Sequence, residues 1–224
     1  MTSYTSDTIL GDVITTDPSR TRILERFGID YCCGGQRPIG EACTQAQVDV
    51  GEFLTALNAA EPGQRADWAD LDDAALIDHI LDTHHRFLWD EFPRMSALVD
   101  KVARVHGPNH EELARVREAF GELRAKVEPH LRTEETVLFP ELRTRSGAIS
   151  DQLRAALREN MEQHDRAGEL LTELRQLTSG YAVPADACAS YTAMLGGLQE
   201  MESDLHMHVH KENNVLFPRV LATA

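Results

Sequence analysis

The stretch that decides the fold is His208-Val-His-Lys-Glu212-Asn-Asn-Val-Leu-Phe-Pro218, which repeats an earlier stretch, His130-Leu-Arg-Thr-Glu134-Glu-Thr-Val-Leu-Phe-Pro140. Both contain a His and, four residues later, a Glu. On a helix these two side chains leave the same face, one turn apart. Each copy is therefore a pair that can chelate a metal ion.

The apolar residues around each pair show which face of the helix it occupies. They alternate in steps of three and four, as expected for a helix packed along one face. In the first copy they are Leu113, Val116, Phe120, Leu123, Val127 and Val137, and in the second Met194, Leu198, Met201, Leu205 and Val215. Both pairs are thus predicted to be buried, and a lone buried carboxylate is costly unless a counter-charge neutralises it. A metal ion between the helices explains both pairs.

Composition narrows the class of protein. The 224 residues include 37 acidic and 22 basic side chains, a formal net charge of −15, which disfavours nucleic acid and anionic membranes as partners. No apolar run is long enough to span a bilayer, and the first residues lack the pattern of a signal peptide. We therefore expect a cytoplasmic protein. Four cysteines, two of them adjacent, are too few for a disulfide scaffold and indicate reduced thiols.

The pattern along the chain predicts an all-α protein. Residues 1–60 are predicted to form a small helical domain with a Cys-Cys-Gly-Gly loop, in which one helix begins at Asp17-Pro18 and ends at Gly28. Residues 61–70 have the composition of a linker. Residues 71–224 are predicted to form an up-down-up-down four-helix bundle, with helices over about 72–104, 109–139, 150–178 and 185–217.

The duplication extends beyond the two motifs. One His precedes His130 by 45 residues and another precedes His208 by 44, so each half of the bundle is a helical hairpin that offers one His and then a His/Glu pair. Two such hairpins, related by a pseudo-twofold axis, bring together six predicted ligands: His85, His130, Glu134, His164, His208 and Glu212. The number suits two metal ions, each bound by two His and bridged by both Glu. Imidazole with carboxylate suits iron, with manganese and zinc as rivals.

Some histidines admit other interpretations. His84 is adjacent to His85 and is an alternative ligand, although the apolar stripe that continues through Phe92 favours His85. His206 and His210, four residues apart, are predicted to lie on an outer face of their helix, in solvent or in the second shell.

The end of the second helix carries two prolines. Pro129 lies directly before His130 and removes a backbone donor from the helix, so we expect a kink or a π-bulge at the site. The alternative is that two helices meet at Pro129. The repeated Val-Leu-Phe-Pro is expected to close the end of the bundle, with the second helix ending before Pro140 and the fourth before Pro218.

The adjacent cysteines Cys32 and Cys33 form the second chemically active feature. A disulfide between neighbouring residues closes a strained ring, so we expect the pair to act as thiols. The two glycines that follow allow a ligand or partner to approach the backbone closely. The alternative is that these are small buried residues in a tight turn. Cys43 and Cys188, the latter in the predicted fourth helix, are expected to be packing residues.

With these motifs in view, the chain resembles the repair-of-iron-centres family of di-iron proteins. The resemblance rests on Asp30-Tyr-Cys-Cys-Gly-Gly35, on Glu162-Gln-His164-Asp-Arg-Ala-Gly-Glu-Leu-Leu171 and on Glu212-Asn-Asn-Val-Leu-Phe-Pro218. It implies a haemerythrin-like bundle with two non-haem iron ions, oxo-bridged when ferric, bound by the six ligands named above. Cys43 and the tandem His84-His85 depart from the family pattern.

The resemblance also implies a function. The expected role is repair of iron-sulfur clusters damaged by nitric oxide or oxidants, through iron donation or NO removal, with Cys32 and Cys33 assisting. The expected partners are damaged iron-sulfur proteins and the small ligands NO or O₂, and the chain is expected to be a monomer or homodimer. Two alternatives use the same site: a haemerythrin-like carrier or sensor of O₂ or NO, and an NO-reducing enzyme.

Overall fold

A computed structural model describes residues 3–145 and 147–222 of the chain. These residues form helices joined by turns and short loops, which confirms the predicted all-α class. They divide into two compact units. The first contains the described residues up to His79, a short segment that ends at Ser150, and the residues from His206 onward; the second contains Ile80–Arg145 and Asp151–Leu205. The predicted domain boundaries at residues 60 and 71 stay a prediction.

The first unit opens with four short α-helices. They are α1 Leu10–Thr16, α2 Thr21–Arg26, α3 Ile39–Ala46 and α4 Val50–Ala59. Asp17 caps a 3₁₀ turn that begins at Pro18 and leads into α2, and Gly28, with φ of 66°, follows the end of α2, so both predicted signals are confirmed. The core of this unit includes Leu10, Ile14, Leu24, Ile39, Phe53, Leu57 and Val209.

Seven further α-helices follow in the described chain. They are α5 Asp73–Ile80, α6 Arg86–His106, α7 Glu112–Thr133, α8 Phe139–Thr144, α9 Asp151–Leu177, α10 Ala189–Lys211 and α11 Phe217–Leu221. Within the second unit, α6, α7, α9 and the part of α10 up to Leu205 surround one apolar core. This arrangement confirms the predicted four-helix bundle. Its core includes Phe92, Met95, Val116, Phe120, Leu171, Met194 and Leu198.

Three π-helical turns interrupt the long helices. They are Leu81–His85, Glu134–Leu138 and Glu212–Leu216. In each, the first residue after the turn donates its N–H to the carbonyl five residues earlier, as Phe139 does to Glu134. Single π-helical turns are often found at functional sites, and here each begins or ends at a predicted metal ligand.

The π-helical turns correct three expectations about helix ends. The second and fourth helices do not end before Pro140 and Pro218, because each continues through the proline as α8 or α11. The widened turn just before each proline gives its ring the space that a regular turn denies it. Pro129 lies inside the unbroken α7, so the alternative of two helices meeting there is wrong. A π-helical turn does follow, beginning at Glu134.

The two copies of the motif differ in the exposure of their valine, and Val215 is buried as predicted. Val137 is 58% exposed, contrary to the predicted stripe, whereas Leu138 is buried.

Among the described residues, none of the helices combines the length and apolar character needed to cross a membrane.

Candidate metal centre and cysteine loop

Four of the six predicted ligands come together in the second unit. His85 ends the first π-helical turn, His130 lies near the end of α7, Glu134 begins the second π-helical turn, and His164 lies in α9. All four are buried, and Glu134 has no exposed surface. The spacing of four residues places His130 and Glu134 on one face of the helix, as predicted.

The two oxygens of Glu134 point to different histidines. Oε1 lies 3.2 Å from His130 Nε2, and Oε2 lies 3.4 Å from His85 Nε2. His130 Nε2 in turn lies 3.1 Å from His164 Nε2. Donor atoms of His130, Glu134 and His164 all lie within 4.8 Å of one another. A carboxylate in this position can contact two cations at once, one through each oxygen.

The donor separations fit a metal ion. Ligand atoms at metal distances of about 2.0–2.2 Å lie about 3–3.5 Å from each other around one ion, which is the range of the separations at Glu134. The two imidazole nitrogens at 3.1 Å can share a proton as a hydrogen bond, or, when both are unprotonated, a metal ion can take the place of that proton. Neutral imidazole with carboxylate is a donor set that suits iron and other divalent first-row metals.

Neighbouring polar side chains orient these ligands. His130 Nδ1 donates to Gln163 Oε1 at 2.8 Å, and His85 Nδ1 donates to Glu135 Oε1 at 3.0 Å. Such bonds fix the tautomer whose Nε2 lone pair is available to a metal. Asn160 Nδ2 donates to Glu134 Oε1 at 2.9 Å, which restricts rotation of the carboxylate.

Helical spacing could have indicated two of the residues that support the predicted ligands, Asn160 and Trp89. Asn160 precedes His164 by four residues in α9, and Trp89 follows His85 by four in the first long helix. Trp89 Nε1 donates a hydrogen bond to Glu135 Oε1 at 2.7 Å. This bond fixes the carboxylate that accepts a hydrogen bond from His85. Polar residues one turn from a predicted ligand on a helix are therefore candidates for its second shell.

The structure separates the roles of the two adjacent histidines. His85 lies beside Glu134, whereas His84 Nδ1 donates to Asp204 Oδ1 at 2.7 Å. Both rings are buried. His84 therefore has a carboxylate partner of its own, away from Glu134.

The remaining two predicted ligands form a close pair in the first unit. His208 lies in the last turn of α10, and Glu212 begins the π-helical turn that follows. His208 Nε2 lies 2.9 Å from Glu212 Oε1, and both side chains are at most 1% exposed. The pair thus repeats the His130–Glu134 arrangement of the second unit.

The predicted outer face of this helix is wrong for His210. Its ring is fully buried and contacts Thr15 Oγ1 at 3.2 Å, and it packs edge-on against Tyr31 and Trp68. Burial lowers the pKa of His210 to about 4. A neutral, enclosed imidazole of this kind is a packing residue, and it does not present a surface site for adventitious metal.

The cysteine loop lies between α2 and α3 of the first unit. Cys32 is buried and Cys33 is half-buried, and their sulfur atoms are 3.9 Å apart. Asp30 Oδ1 accepts from the backbone N–H groups of both cysteines, each at 3.0 Å, and from the Cys32 thiol at 3.2 Å. The hydrogen bond with Cys33, burial and the nearby charge of Asp30 raise the pKa of Cys32 well above its usual value.

The other two cysteines differ from each other. Cys43 is buried in the core of the first unit, as expected of a packing residue. Cys188 is exposed and precedes α10, so the prediction that it packs within the fourth helix is wrong. Its Sγ lies 3.1 Å from His106 Nε2. The backbone N–H of Tyr191 and the His106 ring lower the pKa of Cys188 to about 7.

Comparisons with known proteins match both parts of the chain. Residues 76–220 match the hemerythrin HHE cation binding domain, and residues 6–61 match the N-terminal domain of unknown function ScdA_N. Iron-sulfur cluster repair protein ScdA of Staphylococcus epidermidis is 34% identical over 221 residues, which cover 96% of this chain and 99% of the relative.

Two other relatives have comparable similarity. A probable iron-sulfur cluster repair protein of Haemophilus influenzae is 32% identical, over 95% of this chain and 96% of the relative. Iron-sulfur cluster repair protein YtfE of Escherichia coli is 31% identical, over 96% and 97% of the two chains.

Proposed function

The chain belongs to the family of iron-sulfur cluster repair proteins that join an ScdA_N domain to a haemerythrin HHE domain, and from this we propose that it repairs iron-sulfur clusters by means of a non-haem di-iron centre. The observation that carries the proposal is the fully buried Glu134, with one oxygen directed at His130 and the other at His85. A carboxylate enclosed in this way is costly to ionise unless a cation compensates its charge.

We assign all six predicted ligands to the two ions. The second unit contributes His85, His130, Glu134 and His164, and Glu212 with His208 repeats the His/Glu pair in the same HHE domain. Glu134 and Glu212 would bridge the ions. Spacing supports the assignment, since each half of the domain offers one His followed by a His/Glu pair.

The chain's own residues set the properties of this site. Gln163 and Glu135 keep the Nδ1 proton on His130 and His85, so each ring offers Nε2. Burial of the ligands keeps bulk water away from them. When bound, the two iron ions would supply ferrous–ferric redox chemistry and open positions for small ligands such as NO or O₂.

The cysteine loop would supply the second activity. We assign to Cys32 and Cys33 the transfer of iron, electrons or a nitrosyl group between the di-iron centre and a damaged client. The half-buried Cys33 supports this role, because it is the more exposed of the two cysteines. The clients would be cytoplasmic iron-sulfur proteins damaged by nitric oxide or oxidants.

A reconstituted repair assay tests this function. The double variant Cys32→Ala with Cys33→Ala is expected to retain the iron of the bundle and to lose repair of an NO-damaged iron-sulfur protein. Cys188→Ala, which removes an exposed thiol elsewhere, is the matched control and is expected to repair normally. Full repair by the double variant would reject the role of the pair, and full repair by iron-free wild-type protein would reject the role of the di-iron centre.

A further inference from the structure

We propose that Asp30, Cys32 and Cys33 form a binding site of their own for one thiophilic divalent metal ion, with two thiolates and one carboxylate as ligands. The inference rests on the proposed function and deepens it, since the cysteine loop would be a transient binding site for a ferrous ion during exchange with a client. It depends only on residues of the first unit.

The donor geometry supports the site. The three donor atoms all lie within 4.8 Å of one another. Two thiolates bound to one tetrahedral ion at about 2.3 Å lie about 3.8 Å apart, and the sulfur atoms of Cys32 and Cys33 are 3.9 Å apart. A thiolate and a carboxylate oxygen on the same ion lie about 3.5 Å apart, and Asp30 Oδ1 is 3.2 Å from Cys32 Sγ. Two of the three donor separations are therefore within a few tenths of an ångström of those around one ion.

The loop is held in this shape by side chains outside it. Asn214 Nδ2 donates to the carbonyls of Cys32 at 2.8 Å and Tyr31 at 3.2 Å. A Cβ at Gly35 would lie only 2.5 Å from Asn214 Oδ1, so any residue but glycine there would displace the Asn214 amide. Asp30 is fixed in turn by the hydrogen bonds that it accepts from the backbone N–H groups of Cys32 and Cys33. A site whose ligands are positioned before binding loses less entropy when it binds.

A divalent ion at this position must replace the thiol protons, because the hydrogen bond with Cys33, burial and the charge of Asp30 raise the pKa of Cys32. When both thiols are ionised, the three donors carry a charge of −3 in a partly buried loop, and nearby charge opposes that state. Binding one divalent ion releases two thiol protons to solvent and leaves a net charge of −1. No electrons are transferred in this step.

The number of ligands suits exchange better than storage. Three protein ligands leave a fourth tetrahedral position for water or for a ligand atom of another molecule, as in catalytic rather than structural metal sites. Cys33 is the more exposed of the two cysteines, so the open position can face solvent. An incoming client thiolate could then bind the ion before the loop releases it.

Cobalt(II) is a suitable probe, because its complexes with thiolates show a sulfur-to-metal charge-transfer absorption. We would titrate it anaerobically into the full-length, iron-loaded chain in a Cys188→Ser background, which removes the exposed thiol beside His106. We expect one cobalt ion to bind per chain with thiolate absorption, while the iron content stays constant. Cys32→Ser and Cys33→Ser should each abolish the absorption, and the matched control Cys43→Ser should leave it unchanged.

Asp30→Asn tests the third ligand. It keeps an oxygen that can accept the two backbone hydrogen bonds and removes the negative charge, so we expect cobalt to bind about tenfold more weakly with the loop intact. Unchanged affinity would remove Asp30 from the site. Absence of thiolate absorption in the parent protein, or its persistence after both Cys32→Ser and Cys33→Ser, would overturn the proposal.

The metal readout is independent of the repair assay. Cobalt binding at the loop together with full repair by the double alanine variant would leave the site standing and reject the repair role of the cysteines. Loss of repair in that variant without cobalt binding by the parent would leave the proposed function standing and reject this inference.

Discussion

Glu134 has no exposed surface and lies among the rings of His85 and His130 and the amide of Asn160. Its replacement by glutamine should therefore separate the contribution of the carboxylate to protein stability from its contribution to metal binding. Glu134→Gln keeps the size of the side chain and an oxygen that can accept from Asn160. It removes the negative charge. We expect the metal-free variant to be at least as stable as metal-free wild type, and the iron-loaded variant to be less stable than iron-loaded wild type.

The magnitudes follow from burial and mass action. Replacing a buried ion pair by uncharged side chains that fit is neutral or stabilises a protein by up to about 4 kcal/mol. The neighbours of Glu134 are histidines, which carry a charge only when protonated. Iron at a hundred times its dissociation constant adds about 2.7 kcal/mol to the stability of the wild type, which for a chain of this length raises Tm by about 5–11 °C. A tenfold loss of affinity in the variant removes about 1.4 kcal/mol of that gain.

Calorimetry of each protein with iron and after chelation measures both effects. Glu141→Gln, at an exposed position of α8, is the control and should behave as wild type in both states. Chelation that lowers the Tm of Glu134→Gln as much as that of wild type would refute Glu134 as a metal ligand. A metal-free variant less stable than metal-free wild type by more than about 2 kcal/mol would show that the carboxylate has a partner within the protein that glutamine cannot replace.

Two further predictions concern the cysteines. Alkylation of Cys188 by iodoacetamide should increase as pH rises through about 7, where its thiolate forms, and His106→Ala should move this midpoint upward because the imidazole no longer stabilises the thiolate; an unchanged midpoint would contradict the pairing. Gly35→Ala should make Cys33 more reactive toward a thiol reagent, because the new Cβ displaces Asn214, whereas Gly40→Ala, whose Cβ would meet its nearest neighbour at 3.4 Å, should not. Equal reactivity in the two glycine variants would contradict the role of Asn214 in fixing the loop.

Helical periodicity was sufficient to predict where most of the candidate ligands lie. The spacing of four residues within each motif and the apolar stripe before it indicate that His130 and Glu134 are buried on one face, and the structure places them there. The match in spacing between the two halves indicated His85 rather than its neighbour. The first of these features is local to one helix and the second is a repeat along the sequence, so neither needs knowledge of tertiary contacts.

Helical periodicity could not predict features that depend on contacts with other parts of the chain. The rule that a proline ends a helix assumes a regular α-helix, so the predicted helix ended too early at Pro140, where a π-helical turn precedes the proline. The apolar stripe also gave the wrong exposure for Val137. The face that carries His210 has polar neighbours along the helix, but in the first unit Tyr31 and Trp68 cover it. Only the tertiary contacts of that unit show that this face is buried.

The central claim is a centre of two irons held by duplicated His/Glu pairs, and Mössbauer spectroscopy with metal analysis tests it most directly. The protein should be produced with iron and without an affinity tag, as wild type and as His208→Ala. We predict two antiferromagnetically coupled iron ions per chain in the wild type and a clear loss of iron in the variant. Wild-type protein that binds no iron, or a variant that retains the coupled pair, would contradict the account.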